Sequence, residues 1–372
     1  MYAARLNVSP ARNDNLLNNI RGLSGGLRFS AVIPWSGAMG IWPRRTYVQY
    51  VEKHAQARDI VPLQFPYDEA LDDKNPQIFL SYFSMPFWMD TLDIPFDDRD
   101  ATYRRILHNY RAAANDHVSQ VRKQAHDIIR LGPGTGNALF DELRATGKWL
   151  RILPNWNWLE SPNAYAVPDA FILAEPGGGD TKTWQAATAK GAPMPVKGGG
   201  PMRDAAGNLV LGTGGGSNSV VWYTPGMYSD KRRASGRPGR NPDEVLFHEL
   251  VHASREMRGV MNQMPVNKGY DDMEEYLAEV LSNIDLSDKG QTVFSGNHGG
   301  SVILQGADAD NFLHNSQNVD VRPTTLIQNL KDYQLSFYQA LVKLPDWRPK
   351  YNWVRQYDRE WRALAAQNQR HA

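Results

Sequence analysis

The 372-residue chain contains no cysteine, which excludes disulfides, a thiolate nucleophile and a cysteine-ligated metal site. It also lacks an excess of charge of either sign, since 41 Lys and Arg against 40 Asp and Glu leave a formal net charge of +1. With no dense basic stripe interleaved with aromatics, nothing supports nucleic-acid binding. The basic run Lys231-Arg232-Arg233 with Arg237 and Arg240 reads as a solvated loop. Long apolar runs are missing as well. The stretch from Gly25 to Pro43 is interrupted by Arg28, Pro34 and several glycines, so it reads as a buried N-terminal segment, and no stable membrane insertion is expected. The first residues have no basic region leading into an apolar core and a small-residue cleavage site, so no standard signal peptide is expected. Glycine runs at 177–179, 198–200 and 214–216 are present but none has the G-x-x-x-x-G-K-[ST] form of a phosphate loop.

What the chain does have is His248-Glu249-Leu250-Val251-His252. On a helix, histidines four residues apart stand one turn above each other and can face one metal ion. The glutamate between them points about 100° around the helix and can reach a water at the metal without taking a metal position. The flanks predict that helix. Asn241 is a good N-cap, Pro242 suits the first helical position, Asp243 and Glu244 favour the positive end of the dipole, and Gly259 ends the helix after Arg255 and Arg258.

A catalytic zinc site needs a third protein ligand and a position left for water. No third histidine follows at short spacing. The next predicted helix, 271–284, carries Met273, Tyr276, Leu277, Val280, Leu281 and Ile284 at core spacing, with Glu274, Glu275 and Glu279 as candidate acids. Helical spacing alone leaves open which of the three binds.

Several further segments occur in a telling order: Thr135 to Leu143, Lys148 to Ile152, Gly216 to Pro225, then the H-E-x-x-H helix with Ala253, Arg255 and Gly259, then Glu274-Glu275. Over roughly 131–285 the chain resembles the NleD-like family of secreted effector zinc metallopeptidases, gluzincin-type peptidases related to bacterial toxin domains. That resemblance implies an α+β, zincin-like fold with an active-site helix, a small sheet and a glutamate-bearing second helix. It implies one Zn2+ per chain, with His248, His252 and Glu275 as metal ligands, Glu279 behind a histidine N–H, Glu249 as general base and Glu274 as the fallback ligand. Resemblance to gluzincins also makes Tyr270 the candidate oxyanion donor, with Tyr228 in reserve. The strand predicted at 219–223 would run beside the active-site helix and pair with an extended substrate. The implied function is endopeptidase cleavage of a target-cell protein after secretion or injection by a bacterial secretion system. Candidate partners are a protein or peptide substrate, a secretion-system component and a cognate immunity protein. Two alternatives are a non-catalytic secreted module that binds a partner, and a zinc hydrolase of cell-wall peptides.

With 41% apolar and 10% aromatic residues the chain can bury a sizeable core. Three regions are expected: an N-terminal extension wrapping the core over 1–98, a catalytic domain over 99–285 with a glycine-rich insertion at 176–216, and a C-terminal helical extension over 286–372. Helices are predicted over 100–130, 137–146 and 324–341, a strand over 149–153, and a turn at Ala205-Ala206-Gly207-Asn208. His298, in the loop Asn297-His298-Gly299-Gly300, could reach the active site but reads first as a surface histidine.

Overall fold

The strands are β1 (Tyr67–Ala70), β2 (Ile78–Tyr82), β3 (Leu150–Leu153), β4 (Tyr165–Pro168), β5 (Pro195–Val196), β6 (Gly200–Pro201), β7 (Ser219–Trp222), β8 (Val293–Ser295) and β9 (Ile303–Gln305). The helices are α1 (Ala101–Leu131), α2 (Pro133–Ala145), α3 (Thr181–Ala187), α4 (Pro242–Arg258), α5 (Met273–Asp288), α6 (Ala307–Asp310), α7 (Pro323–Tyr333), α8 (Leu335–Val342) and α9 (Trp353–His371). This is a computed structural model, and it describes residues 67–82, 101–155, 164–168, 181–196, 200–228, 238–266, 269–298, 301–314 and 321–371. The expectations for Gly25 to Pro43, for the basic run 231–237 and for the glycine run 177–179 lie outside those residues.

Five strands form one mixed sheet in the order β1-β2-β3-β7-β4. β2, β3 and β7 are parallel, while β1 and β4 are antiparallel to their neighbours. The parallel strands have apolar residues on both faces, with Ile78, Leu80, Leu150, Ile152, Leu153, Val221 and Trp222 all fully buried, as parallel sheets covered on both faces require. One correction follows for β7. It pairs with β3 on one side and β4 on the other, so it has no free edge to offer a substrate. Among the described residues the edge on that side is β4, whose Tyr-Ala-Val-Pro has no apolar alternation and ends in a proline.

α4 packs against α1, α2, α5, β4 and β7, and thus lies centrally over the sheet. Its N-terminus is closed by the Glu244 carboxylate, which accepts from the Asn241 N–H at 3.1 Å and the Asn241 side-chain amide at 2.7 Å. Its C-terminus ends at Gly259 with φ 71°, a left-handed conformation that costs glycine nothing. A Cβ there would lie 2.4 Å from the Gly216 nitrogen, so a side chain is excluded by contact as well. Asp288, at the end of α5, accepts from the N–H groups of Gly134 and Thr135 at 2.7 and 2.9 Å. It thereby satisfies the first turn of α2, whose preceding Gly132 makes no side-chain cap.

The helix expected over 324–341 is two helices, α7 and α8, interrupted at Gln334 with φ −132° and ψ 53°. The break lets the Gln334 side chain accept from Arg255 at 2.9 Å and donate to Glu142 at 3.1 Å. Buried polar partners outweigh one helical residue here. The turn at 205–208 forms as expected, with the Asp204 carboxylate accepting from the Ala206 and Asn208 N–H groups, each at 2.9 Å.

Glu256, on the sheet-facing side of α4, is buried and accepts a 2.5 Å hydrogen bond from Ser219 of β7. Burial pushes its carboxyl up to about 8 despite that bond. The unfolded carboxyl titrates near 4.3. Between those values the native state holds a proton that the unfolded chain has lost, so this group's contribution to stability declines as pH rises from about 4 to about 8. Glu256→Gln removes the titration and keeps an acceptor for Ser219. Its melting temperature relative to the parent should therefore rise between pH 5 and pH 8, and a difference that stays constant would contradict the assignment.

Candidate metal centre and active site

His248 and His252 sit mid-way along α4, and both rings reach the carboxylate of Glu275 in the first turn of α5. Three ligand atoms converge: His248 Nε2 to Glu275 Oε2 is 3.1 Å, His252 Nε2 to Glu275 Oε2 is 3.3 Å, and the two Nε2 atoms are 3.1 Å apart. Donors bound tetrahedrally to one ion at about 2.0–2.1 Å lie about 3.3 Å from one another. The triangle therefore has the dimensions of one face of a zinc tetrahedron. Two imidazole nitrogens pointing at each other repel unless a proton or a cation lies between them.

Each side chain is held there by local structure. Asp272, the N-cap of α5, accepts from the N–H groups of Glu274 and Glu275 at 2.9 and 3.0 Å, which starts the helix immediately before the acids. Glu274 turns away from the site. Its carboxylate forms a two-pronged pair with Arg255 of α4, Nε to Oε2 at 2.5 Å and Nη2 to Oε1 at 2.8 Å, and accepts from the Asn262 N–H at 2.6 Å. It is thus occupied as a structural partner, and Glu275 is the acid presented to the histidines. Glu279, one turn on, has Oε2 3.8 Å from His248 Nδ1, and Ser282 Oγ is 3.5 Å from the same nitrogen.

The charges are strongly interdependent. Burial alone would lower His252, but Glu275 and Glu249 around it carry it up to about 10. Burial would raise Glu275, yet His252 and His248 hold it well below the ordinary carboxylate range. Glu249 is pushed up by burial to about 7, against the influence of His252 and a hydrogen bond from the Ala166 backbone. That bond connects the edge strand β4 to the glutamate between the histidines. A carboxyl poised near neutrality suits both accepting and returning a proton.

Residues 169–296 match the peptidase M91 family, described as effector protein. The match covers about a third of the chain and includes His248, Glu249, His252, Glu275 and Glu279. It bears out the expected likeness to effector peptidases, starting nearer the middle of the chain than residue 131. No curated protein and no solved structure gives a significant match.

Two tyrosines expected near the chemistry have other surroundings. Tyr270 is 5% exposed and stacks on Tyr276 with ring centroids 3.8 Å apart, and burial pushes its hydroxyl far up. Tyr228 stacks on Tyr223 at 5.9 Å, and its hydroxyl accepts from the Ala164 N–H at 2.7 Å, holding the start of β4.

His298 is the residue that sequence reasoning placed at the surface and the structure brings into the site. Its Nε2 lies 3.4 Å from Glu275 Oε2, and its Nδ1 lies 2.8 Å from the Asp271 carboxylate. His248, Glu275 and His298 form a group able to hold a metal ion. No short-range spacing links residue 298 to 248, because β8 lies between α5 and the loop. The local signal that existed was the acidic pair Asp271-Asp272 ahead of α5.

Removing Glu274 would leave the Arg255 guanidinium buried beside neutral partners only. Glu274→Ala should therefore destabilise the fold by about 3–5 kcal/mol, the usual result of breaking a buried pair from one side. A shift in the denaturant midpoint worth less than about 1 kcal/mol would show that the pair does not hold the two helices together.

Proposed function

We propose that the protein is a zinc-dependent endopeptidase that acts as a bacterial effector or toxin on a protein of a target cell. The observation that carries this reading is the triangle of donor atoms from His248, His252 and Glu275, with edges of 3.1 to 3.3 Å. Its support is the match of the surrounding segment to an effector peptidase family. Zinc bound by these residues supplies Lewis acidity, bringing the pKa of a coordinated water to about 7 and polarising a substrate carbonyl.

The chain's own groups do the rest. Glu249, set between the two histidines and held by the Ala166 N–H, takes the proton of the attacking water and returns it to the leaving amine. A carboxyl held near 7 loses and regains that proton at little cost in either direction. Among the described residues β4 is an edge strand beside α4. Its Ala166 N–H goes to Glu249 and Pro168 has none, so an extended substrate lying along β4 is held by its own N–H groups donating to β4 carbonyls, which brings its carbonyl to the site. Glu279 and Ser282 hold His248 from its Nδ1 side and so fix the direction of its Nε2. Tyr270 is the proposed donor to the oxyanion only if its ring leaves the Tyr276 stack, and Tyr228 keeps the reserve role.

Among the described residues no helix is long and apolar enough to cross a membrane. Delivery to a target cell through a secretion system is part of the proposal, as is protection of the producer by an immunity protein.

Purified protein should hold about one zinc per chain, and Glu249→Gln should keep that zinc and its fold while losing about 10²–10⁴-fold in turnover. Parent-like cleavage by that variant would refute the assignment of the base. New protein termini found by mass spectrometry after exposure of a target-cell proteome supply the substrate for the assay.

The three acids of α5 should separate by zinc dissociation constant. Glu275→Ala should lose most of the affinity, Glu279→Ala about 10- to 100-fold, and Glu274→Ala little once its loss of stability is allowed for. An order led by Glu274 or Glu279 would overturn Glu275 as the ligand.

A further inference from the structure

We propose that His298 is a fourth protein ligand of the metal in the resting protein, an inference that rests on the metallopeptidase reading above. The loop that carries His298 reaches the site from β8, beyond the segment that matches the effector peptidase family, which stops at residue 296.

Four observations converge on it. His298 Nε2 and His248 Nε2 both approach one oxygen, Glu275 Oε2, at 3.4 and 3.1 Å, and the longer of these is still a tetrahedron edge for bonds of about 2.0–2.1 Å. The two rings are parallel, 5° apart with centroids separated by 6.0 Å, so they approach the site side by side without crossing. Donor atoms of His248, Glu275 and His298 all lie within 4.8 Å of one another. Finally, Asp271 engages Nδ1 at 2.8 Å. A carboxylate behind one ring nitrogen directs the other, as an electron-pair donor, towards the metal.

The loop is docked on the segment that leads into α5, the helix that carries Glu275. Its backbone N–H at His298 donates to Gly269 O at 2.7 Å. Gly269 has φ 95°, and a Cβ on it would lie 2.9 Å from Asn297 Cβ, so only glycine lets the two loops meet this closely. Asp271 directly precedes the N-cap Asp272, and the carboxylate that aims His298 is therefore fixed relative to Glu275.

An ion counterbalance alone explains less. Asp271 by itself suffices to pair His298, and nothing in that pairing requires Nε2 to share an oxygen with His248. Three imidazoles and one carboxylate would make up the four donors of a tetrahedral zinc, with His298 and His252 each meeting the shared pair His248 and Glu275. Among these four donors His298 is the one on a loop, with 35% of its side chain exposed against 14% for His248 and 12% for His252. It is the donor that gives way when substrate or water needs a position.

The test uses full-length protein as parent, His298→Ala, His298→Gln and Asp271→Asn. Zinc affinity is measured by competition with a chromophoric chelator, and zinc-edge X-ray absorption counts the imidazoles. The expected result is three imidazoles in the parent and two in both His298 variants, with affinity lowered at least about 10-fold in those and by about 10-fold in Asp271→Asn. Two imidazoles in the parent, or parent-like affinity in both His298 variants, overturns the inference and leaves the metallopeptidase reading standing. A parent protein that binds no zinc overturns both. Should the variants fail to fold, the imidazole count of the parent decides alone.

Discussion

The buried pair between Arg255 and Glu274 sets the geometry on which the rest of the site depends. Arg255 is 1% exposed and Glu274 2%, and a charge so placed is tolerable only with every donor answered. The guanidinium meets the Glu274 carboxylate, Val260 O, Asn329 Oδ1 and Gln334 Oε1, all within 3.0 Å. These contacts join α4 to α5 and to the start of α8 in one register. Because Glu275 follows Glu274 by one residue, it leaves the helix about 100° further round. Fixing one glutamate on the arginine thus delivers the next to the histidines further along the same contact between α4 and α5.

The chemistry grows out of the same arrangement. Without a cation the site is held by opposite charges that stabilise each other, with His252 driven up by Glu275 and Glu249 and Glu275 driven down by the histidines. In the proposed metal-bound form a divalent ion takes the place of the proton that these shifts retain, so binding is coupled to proton release. Glu249 stands outside the triangle and is tied instead to β4 through Ala166. In the proposed mechanism the helix-borne ligands come from α4 and α5 and the base is tethered to β4, which would link substrate position to proton transfer through one backbone group.

Much of this was legible in the residues themselves. Asn241, Pro242 and Gly259 bounded α4 correctly because capping chemistry is local, and the histidine spacing needed only helix geometry. Glu275 emerged from resemblance, since helical spacing could not distinguish it from Glu274. What separates them is Arg255, a contact between helices. β4 escaped because Tyr165-Ala166-Val167-Pro168 shows no apolar alternation and ends in a proline, and the expected substrate strand β7 is interior because that unseen neighbour pairs with it. His298 escaped because its position depends on how β8 and the Gly269 loop pack, which no spacing encodes. Gln334 broke an expected helix for the same kind of reason, a demand for polar partners from residues far away in sequence.

The central claim is that His248, His252 and Glu275 together hold one metal ion. Anomalous diffraction at the zinc edge from crystals of the zinc-loaded protein tests it most directly. The account predicts a single strong peak about 2.0–2.2 Å from His248 Nε2, His252 Nε2 and a carboxylate oxygen of Glu275. A peak bound elsewhere, or none at this cluster in protein that carries zinc, would contradict it.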